Sequence, residues 1–553
     1  MPAVELILVL LVAVVVLAMV ARRIHLPYPI VLVLGGLALG FVPGMPRVVL
    51  QPEIIFLVFL PPLLFKSAWM TSVRDFRAAM RSISLLAFGL VICTTLGVAW
   101  VAHTAIPGLP WPTAFVIGAV VSPTDAVAAT SIMQRLGAPR RVITIVEGES
   151  LLNDATGLVV YRFAVAAAAT GVFVLWQAGL QFVVVSAGGI AVGLAVGWIL
   201  AQIQLRMDDP LIEITLTFLA SYGAYLAAES LHLSGVLAVV AAGLYVGRRS
   251  PEVLSPTTRQ EGQAVWSMAT FVLNGLAFIL IGLELPTIVR TLAGRPVPDL
   301  ILYAGLVSLA VVVIRILWTF PGAYLPFLVP YVRRHEVFPH ARNVSVIAWS
   351  GMRGAVSLAA ALSLPATIPG GPWFGDGGGR DLVLYLTFSV ILVTLVLQGL
   401  TLPVVLRLLR VTGDGGEERE EKIARLRSIE AAEVRLEELA ATEWARDEQV
   451  GYLRNYYKKR RSTVETRFGV IHHDHQNGSD AQLHHMHEDG ADHLTDHRER
   501  QESMRRLRLD ILGTERNEVV RLRNDGTISD GVLHRIERDL DLEELRLAEA
   551  SAV

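Results

Sequence analysis

Three acids, Glu147, Glu149 and Asp154, stand in Val146-Glu147-Gly148-Glu149-Ser150-Leu151-Leu152-Asn153-Asp154-Ala155-Thr156-Gly157-Leu158-Val159-Val160, inside a long apolar segment. A charge at mid-bilayer costs roughly 2.5 to 3.5 kcal/mol even on the lenient insertion scale, so such acids raise a hypothesis about ions or protons. On a helix, Ser150 and Asp154 share one face and Glu149 and Asn153 the adjoining one. A fourth acid sits in Val120-Val121-Ser122-Pro123-Thr124-Asp125-Ala126-Val127. Proline within a helix removes a backbone hydrogen bond, and neighbouring Ser and Thr can satisfy the groups it frees. An interrupted span exposes carbonyl oxygens to a cation, which places Asp125 at the start of a second half-helix. The alternative is a simple kink with Asp125 paired to a basic neighbour. If the two segments meet, Asp125, Thr124, Ser150, Asn153 and Asp154 offer oxygens to a hard cation.

A carboxylate that accepts either a proton or a cation is enough for exchange, provided the empty charged site cannot cross. Rocking one helix bundle against another would then present the site to each side in turn. Glu149 needs a positive partner, and the best placed is Arg315, alone in Val313-Ile314-Arg315-Ile316-Leu317. A buried pair of this kind ties helices together without touching a transported ion, and we prefer that structural role for Glu149. Arg353, in Ser350-Gly351-Met352-Arg353-Gly354, is flanked by glycines that permit irregular backbone around a buried charge. It either orients the site or fixes helix packing.

The elements that position these residues are membrane spans. Hydrophobic residues make up 53% of the chain although its last 140 or so positions are polar, so the front is greasier than the mean. Apolar runs near 3–21, 27–43, 53–70, 83–105, 111–133, 142–169, 179–204, 211–230, 233–247, 264–283, 299–321, 343–366 and 382–408 each suit a helix crossing about 30 Å of hydrocarbon. The chain is thus expected to be an all-α polytopic membrane protein of about thirteen spans. Arg22 and Arg23 follow the first run and no basic segment precedes it, as in a retained first helix. Basic residues sort by alternate loops, eighteen against four, and the positive-inside rule puts the richer set in the cytoplasm. The N-terminus is then outside and the C-terminus inside, in the cytoplasmic membrane of the cell.

The division expected is a transmembrane domain over 1–410 and a cytoplasmic helical tail over 411–553. Glu417 to about Arg461 reads as charged helix, and a second helical stretch starts near Glu502, breaks at Asn524-Asp525-Gly526 and restarts after Ser529 or Asp530. Between them, near 470–498, lie His472, His473, His475, His484, His485, His487, His493 and His497, which either sense pH, bind a transition metal, or belong to a solvated linker. The lone Cys93 rules out an intrachain disulfide and a cysteine metal cluster, and no cofactor is expected. A net charge of -2 averages two unlike regions and gives no argument for a nucleic-acid partner.

Ser122-Pro123-Thr124-Asp125, the string Glu147 to Asp154 and Gly351-Met352-Arg353-Gly354 resemble, in order and spacing, the bacterial NhaP-type sodium/proton antiporters and the animal sodium/proton exchangers. Leu60-Pro61-Pro62-Leu63-Leu64-Phe65 and Ile281-Gly282-Leu283-Glu284-Leu285-Pro286 fit as well, and the likeness covers roughly residues 5–410. The resemblance implies a homodimer with inverted repeats and two crossing, broken helices. It implies Asp154 and Asp125 as carriers of a cation, by expectation sodium, and a proton, with Thr124 and Ser150 as ligands. It further implies Asn153 as an uncharged neighbour consistent with electroneutral exchange, and Glu149 with Arg315 as a structural pair. The chain departs in one place: several relatives carry an acid shortly after the Pro-Pro-Leu-Leu-Phe string, where this chain has Lys66. The alternative function is a cation channel or an ion or pH sensor on the same fold, although no recognisable filter is present. An enzyme is disfavoured, because the constellation holds no histidine and no His-Glu-x-x-His motif occurs.

Overall fold

The computed structural model describes residues 3–42, 52–170, 175–207, 209–292, 295–364, 378–411, 413, 415–442, 444–469 and 491–549. Within them the regular elements are all helical. They run α1 (Ala3–Arg23), α2 (Tyr28–Gly40), α3 (Pro52–Met70), α4 (Val73–Ser84), α5 (Val91–Ala105), α6 (Trp111–Val121), α7 (Ala126–Arg135) and α8 (Arg140–Thr170). There follow α9 (Leu175–Gln204), α10 (Pro210–Ser230), α11 (Gly235–Val253), α12 (Pro256–Thr291), α13 (Val297–Tyr324), α14 (Pro330–His335), α15 (Ala341–Trp349), α16 (Ala355–Leu362), α17 (Gly378–Val393) and α18 (Gly399–Leu408). The tail holds α19 (Gly416–Ala440), α20 (Asp447–Gly469), α21 (Ala491–Asn524) and α22 (Asp530–Glu549).

Among the described residues nine helices are long and apolar enough to cross a membrane, and the shorter apolar α2 and the Leu57–Met70 part of α3 add two. The remaining two expected spans are α11 and the pair α15 and α16. The run at 343–366 is therefore two half-helices rather than one helix, with Ser350 to Gly354 between them. It mirrors the run at 111–133, where α6 stops and α7 restarts across Ser122-Pro123-Thr124-Asp125. Each break is the middle of a three-span unit, α4 to α8 and α13 to α18, and the two units are the inverted repeats.

Chain packing sorts the membrane part into two bundles. One combines the two repeats: α5 lies against α6 and α13, α8 against α4 and α6, and α17 against α6, α13 and α16. The other, the scaffold, joins α9, α10, α11 and α3, with α1 on α2. Trp266 of α12, fully buried, stacks on Phe218 at 4.0 Å and on Phe65 at 5.5 Å and donates to the Thr217 hydroxyl, fixing α12 to α10 and α3. α12 meets α2 backbone to backbone: a Cβ on Gly36 would strike the Ile279 carbonyl, and one on Gly282 the Val33 carbonyl. Small residues permit such approach where lipid supplies no hydrophobic drive between helices.

Two spans contain a π turn, Leu85–Leu90 between α4 and α5 and Thr394–Gln398 between α17 and α18. The first is braced by Trp318, whose indole N–H donates to the Leu85 carbonyl at 3.0 Å.

Residues 254–260 and 414–553 form a separate compact unit. Where the sequence suggested one helix to Arg461, α19 ends at Ala440 and α20 begins at Asp447, so that Leu436 and Leu439 pack with Val450, Leu453 and Tyr457. A hairpin buries apolar residues that a single charged rod would leave in water. α21 starts at Ala491, ahead of Glu502, and its Leu512, Val519 and Leu522 pack with Val532, Leu533 and Ile536 of α22. Of the eight histidines, those from His472 to His487 lie outside the described residues, and the backbone at His493 and His497 is helical.

Candidate functional site

The two breaks cross. The Asp125 N–H donates to the Met352 carbonyl at 2.8 Å, which lashes one extended segment to the other. The Asp125 carboxylate caps α7 by accepting the Val127 N–H at 2.8 Å, and it also accepts the N–H of Ala355 at the head of α16. One acid thus serves two helix N-termini, where backbone N–H groups are unpaired and the dipole favours negative charge. Arg353 does the converse. Its Nε donates to the carbonyl of Val121, the last residue of α6, at 3.1 Å, its Nη1 donates to Gly351 just past α15, and its own N–H donates to Thr394 Oγ1. A cation at two helix C-terminal ends and an anion at two N-terminal ends balance the crossing. Gly354 is required there, because a Cβ would fall on the Asp125 carboxylate, and Gly351 would strike the Arg315 side chain.

α8 runs alongside. Glu149 and Arg315 are essentially without exposure and form a two-pronged pair, Nη1 to Oε1 at 2.5 Å and Nη2 to Oε2 at 2.8 Å. Arg315 also donates to the Ile347 carbonyl of α15 at 3.0 Å, and the Thr124 hydroxyl donates to Glu149 Oε1 at 3.0 Å. Both oxygens of Glu149 are therefore taken by fixed donors. The Asn153 amide donates to Thr124 Oγ1 at 2.7 Å, so Asn153 stands behind Thr124 rather than on the open side. Ser150 Oγ accepts the Ala126 N–H at 3.3 Å, stitching α8 to the head of α7.

On the open side lies a cavity of about 100 Å³. Thr124, Asp125, Ser150 and Asp154 line it together with Gly354 and Ala355. Asp154 is 5% exposed, and no basic side chain among the described residues pairs with it or with Asp125. Of the residues singled out by sequence, four thus share a cavity, while Asn153, Glu149, Arg315 and Arg353 form the frame behind. A buried acid and a half-buried one on the same cavity can exchange a proton for a hard cation without disturbing Glu149 and Arg315, because those two charges already meet each other.

The opposite wall comes from α3 and α12: Phe59, Leu60, Leu63, Leu64, Ala277 and Leu280, interrupted by Ser67 and Asn274. Sequence reasoning passed over both polar residues, although an amide in the middle of the run 264–283 was a visible signal. Lys66 does not line the cavity; its ammonium lies 5.2 Å from the Trp69 ring centre, and Ser67 is the neighbour that faces the acids. A second unforeseen contact joins the bundles: Arg162 on α8 holds both carboxylate oxygens of Glu229 on α10 at 3.0 Å.

The family described as the transmembrane sodium/hydrogen exchanger matches residues 8–408. A protein of Mycobacterium tuberculosis named as an Na(+)/H(+) exchanger is 36% identical over 549 residues, 98% of this chain and 95% of that one. A Bacillus subtilis protein named as a sodium, potassium, lithium and rubidium/H(+) antiporter is 33% identical over 414 residues, 72% of this chain and 60% of that one. Among solved structures, the sodium proton antiporter MjNhaP1 of Methanocaldococcus jannaschii shares the fold, with a TM-score of 0.57 at 19% identity over 74% of this chain and 98% of that chain.

Proposed function

Since the chain belongs to the transmembrane sodium/hydrogen exchanger family and is a secondary transporter that exchanges sodium for protons, we propose that Asp154 is the carboxylate through which the two ions compete. The observation that carries this is a pair of acids on one small cavity, Asp154 buried and Asp125 half-buried, with no basic side chain paired to either among the described residues. A carboxylate out of water must be neutralised, and either a proton or a cation does so. Asp125, Ser150 and Thr124 supply the further oxygens a hard cation needs. Asn153 keeps the neighbourhood of Asp154 free of another charge, so that one cation replaces one proton and no net charge moves. Glu149 with Arg315, and Arg353 at the crossing, hold the frame.

In this reading residues 1–410 are the transport domain, 411–553 a cytoplasmic tail, and the repeat bundle rocks against the scaffold, which forms the contact of a homodimer in the cytoplasmic membrane. The loop distribution of arginines supports an outside N-terminus and an inside C-terminus. No observation favours a channel or a sensor.

Reconstitution into liposomes with each alkali cation tests this. We expect cation-driven proton movement whose rate does not respond to an imposed voltage and whose direction follows the ion gradients. Asp154→Asn should abolish it, at least a hundredfold in rate, in inverted vesicles carrying a pH gradient. Persistent cation-dependent proton release by Asp154→Asn would sink the assignment.

A further inference from the structure

We propose that Asn274 of α12, held in place by Tyr28, is a cation ligand contributed by the scaffold wall, and that it acts on the cation and not on the proton. The proposal deepens the site described above and rests on that reading.

The repeat bundle offers a hard cation oxygens from one side of the cavity only. On the cavity it presents the carboxylates of Asp125 and Asp154 and the hydroxyls of Ser150, Thr124 and Ser357. The Thr124 hydroxyl already donates to Glu149 and accepts from Asn153, and Asp125 already accepts two backbone N–H groups. A proton on Asp154 needs a single acceptor, whereas a cation stripped of water needs a shell of them. An acceptor on the other side has to come from across the cavity, where the wall is apolar except at Ser67 and Asn274.

Asn274 is an unusual choice for that wall unless it binds something. Ser267 and Thr270, earlier on the same helix, hide their hydroxyls by donating to carbonyls one turn back. An amide carries two donors and an acceptor and cannot be satisfied in that way. Asn274 is 9% exposed, and its side chain hydrogen-bonds the Tyr28 hydroxyl. Asn274 also lines the cavity that holds both acids. Tyr28 and Asn274 sit on α2 and α12, which the Gly36 and Gly282 contacts weld together, and Tyr28 also packs on Phe271 at 5.9 Å. The amide therefore belongs to a rigid wall, and a bundle that rocks past it gains or loses this ligand. A ligand present in one state only gives the cation a different affinity in the two states, and only such a difference can couple binding to motion.

The test uses the full-length protein in liposomes, with sodium-driven proton flux followed at fixed pH and the sodium concentration varied. Asn274→Leu, of similar size and without polar atoms, should raise the apparent KM for sodium about tenfold while the rate at saturating sodium changes less than twofold. Its pH dependence at saturating sodium should stay where it is in the wild type. Tyr28→Phe, at the end of its helix and tolerant of the change, should raise KM about threefold, and Asn274→Asp, which restores an oxygen ligand, should stay within about threefold of wild type. An unchanged KM in Asn274→Leu, or a fall in maximal rate at constant KM, overturns the proposal. If Asn274→Leu does not assemble, an unchanged KM in Tyr28→Phe does so. Asp154→Asn is run beside them: if it still exchanges, the reading of the site fails, whereas an inert Asp154→Asn with an unaltered Asn274→Leu refutes the scaffold ligand alone.

Discussion

Buried acids in the membrane crossing and in the tail meet different fates. In the tail Glu515, without exposure, accepts the Tyr457 hydroxyl and Arg460, both at 2.8 Å, and Asp541 is gripped by Arg259 and Arg516. In the crossing Glu149 is treated in the same way by Arg315, yet Asp154, a little over one turn along the same helix, has no basic partner among the described residues. Burial alone therefore does not mark the carboxylate proposed to carry the ions. What distinguishes it is a buried acid that the fold leaves without a permanent counter-ion, facing a space large enough for a small one.

The largest effect that can break this contrast is on stability. Glu149→Gln or Arg315→Met strands a buried charge and should cost about 3 to 5 kcal/mol, seen as a large loss of thermal stability in detergent, while the double variant recovers much of it. Asp154→Asn, which strands nothing, should melt close to wild type although it no longer exchanges. If it melts as low as Glu149→Gln, the distinction between frame and carrier collapses. Next in size, Glu515→Leu leaves the Arg460 charge without its buried partner and should cost about 1 to 3 kcal/mol, read as faster hydrogen exchange in α20 and α21 with transport retained.

A smaller effect is pH-dependent. Burial acts to raise the Glu421 carboxyl, but hydrogen bonds from Arg535 and Arg425 outweigh it and hold the group below the usual glutamate range. A depressed carboxyl contributes stability above its unfolded pKa and loses it as pH falls through the folded value, so this grip between α19 and α22 should weaken only below about pH 4.3. Hydrogen exchange of α22 measured as pH is lowered should show that loss, and Glu421→Gln should remove its pH dependence. Smallest is Arg427→Ala: the exposed pair with Glu430 should be worth under about 0.5 kcal/mol, and a larger shift in melting would mean that surface pairs matter here more than expected.

The crossing was readable in the sequence to the extent that polar groups are expensive in lipid. Pro123 announced one break, because it deletes a backbone hydrogen bond of the helix, and the Ser122 hydroxyl donates to the freed Ala119 carbonyl instead, at 2.9 Å. The other, at 350–354, has no proline and rests on glycines whose purpose is close approach to Arg315 and Asp125, a tertiary matter. The cavity's far wall was not read, since Asn274 is one polar residue in an otherwise plain span and owes its position to helices distant in sequence. In the tail the turn after Ala440 escaped notice because Ala440-Ala441-Thr442 carries no breaker, and only packing of Leu436 on Leu453 demands it.

The π turns at 85–90 and 394–398 each carry one residue more than an α-helix of the same length. Removing that residue would make the span regular and draw back into the helix ladder the backbone groups that the wide turn leaves free. Deletions are ordinarily borne in loops, but here a loss of a single codon within a helix would misdirect Trp318's acceptor on one span and the Thr394 hydroxyl that meets Arg353 on the other. These two turns therefore fix the length of their helices more strictly than their side chains, and substitution there should be tolerated where shortening is not.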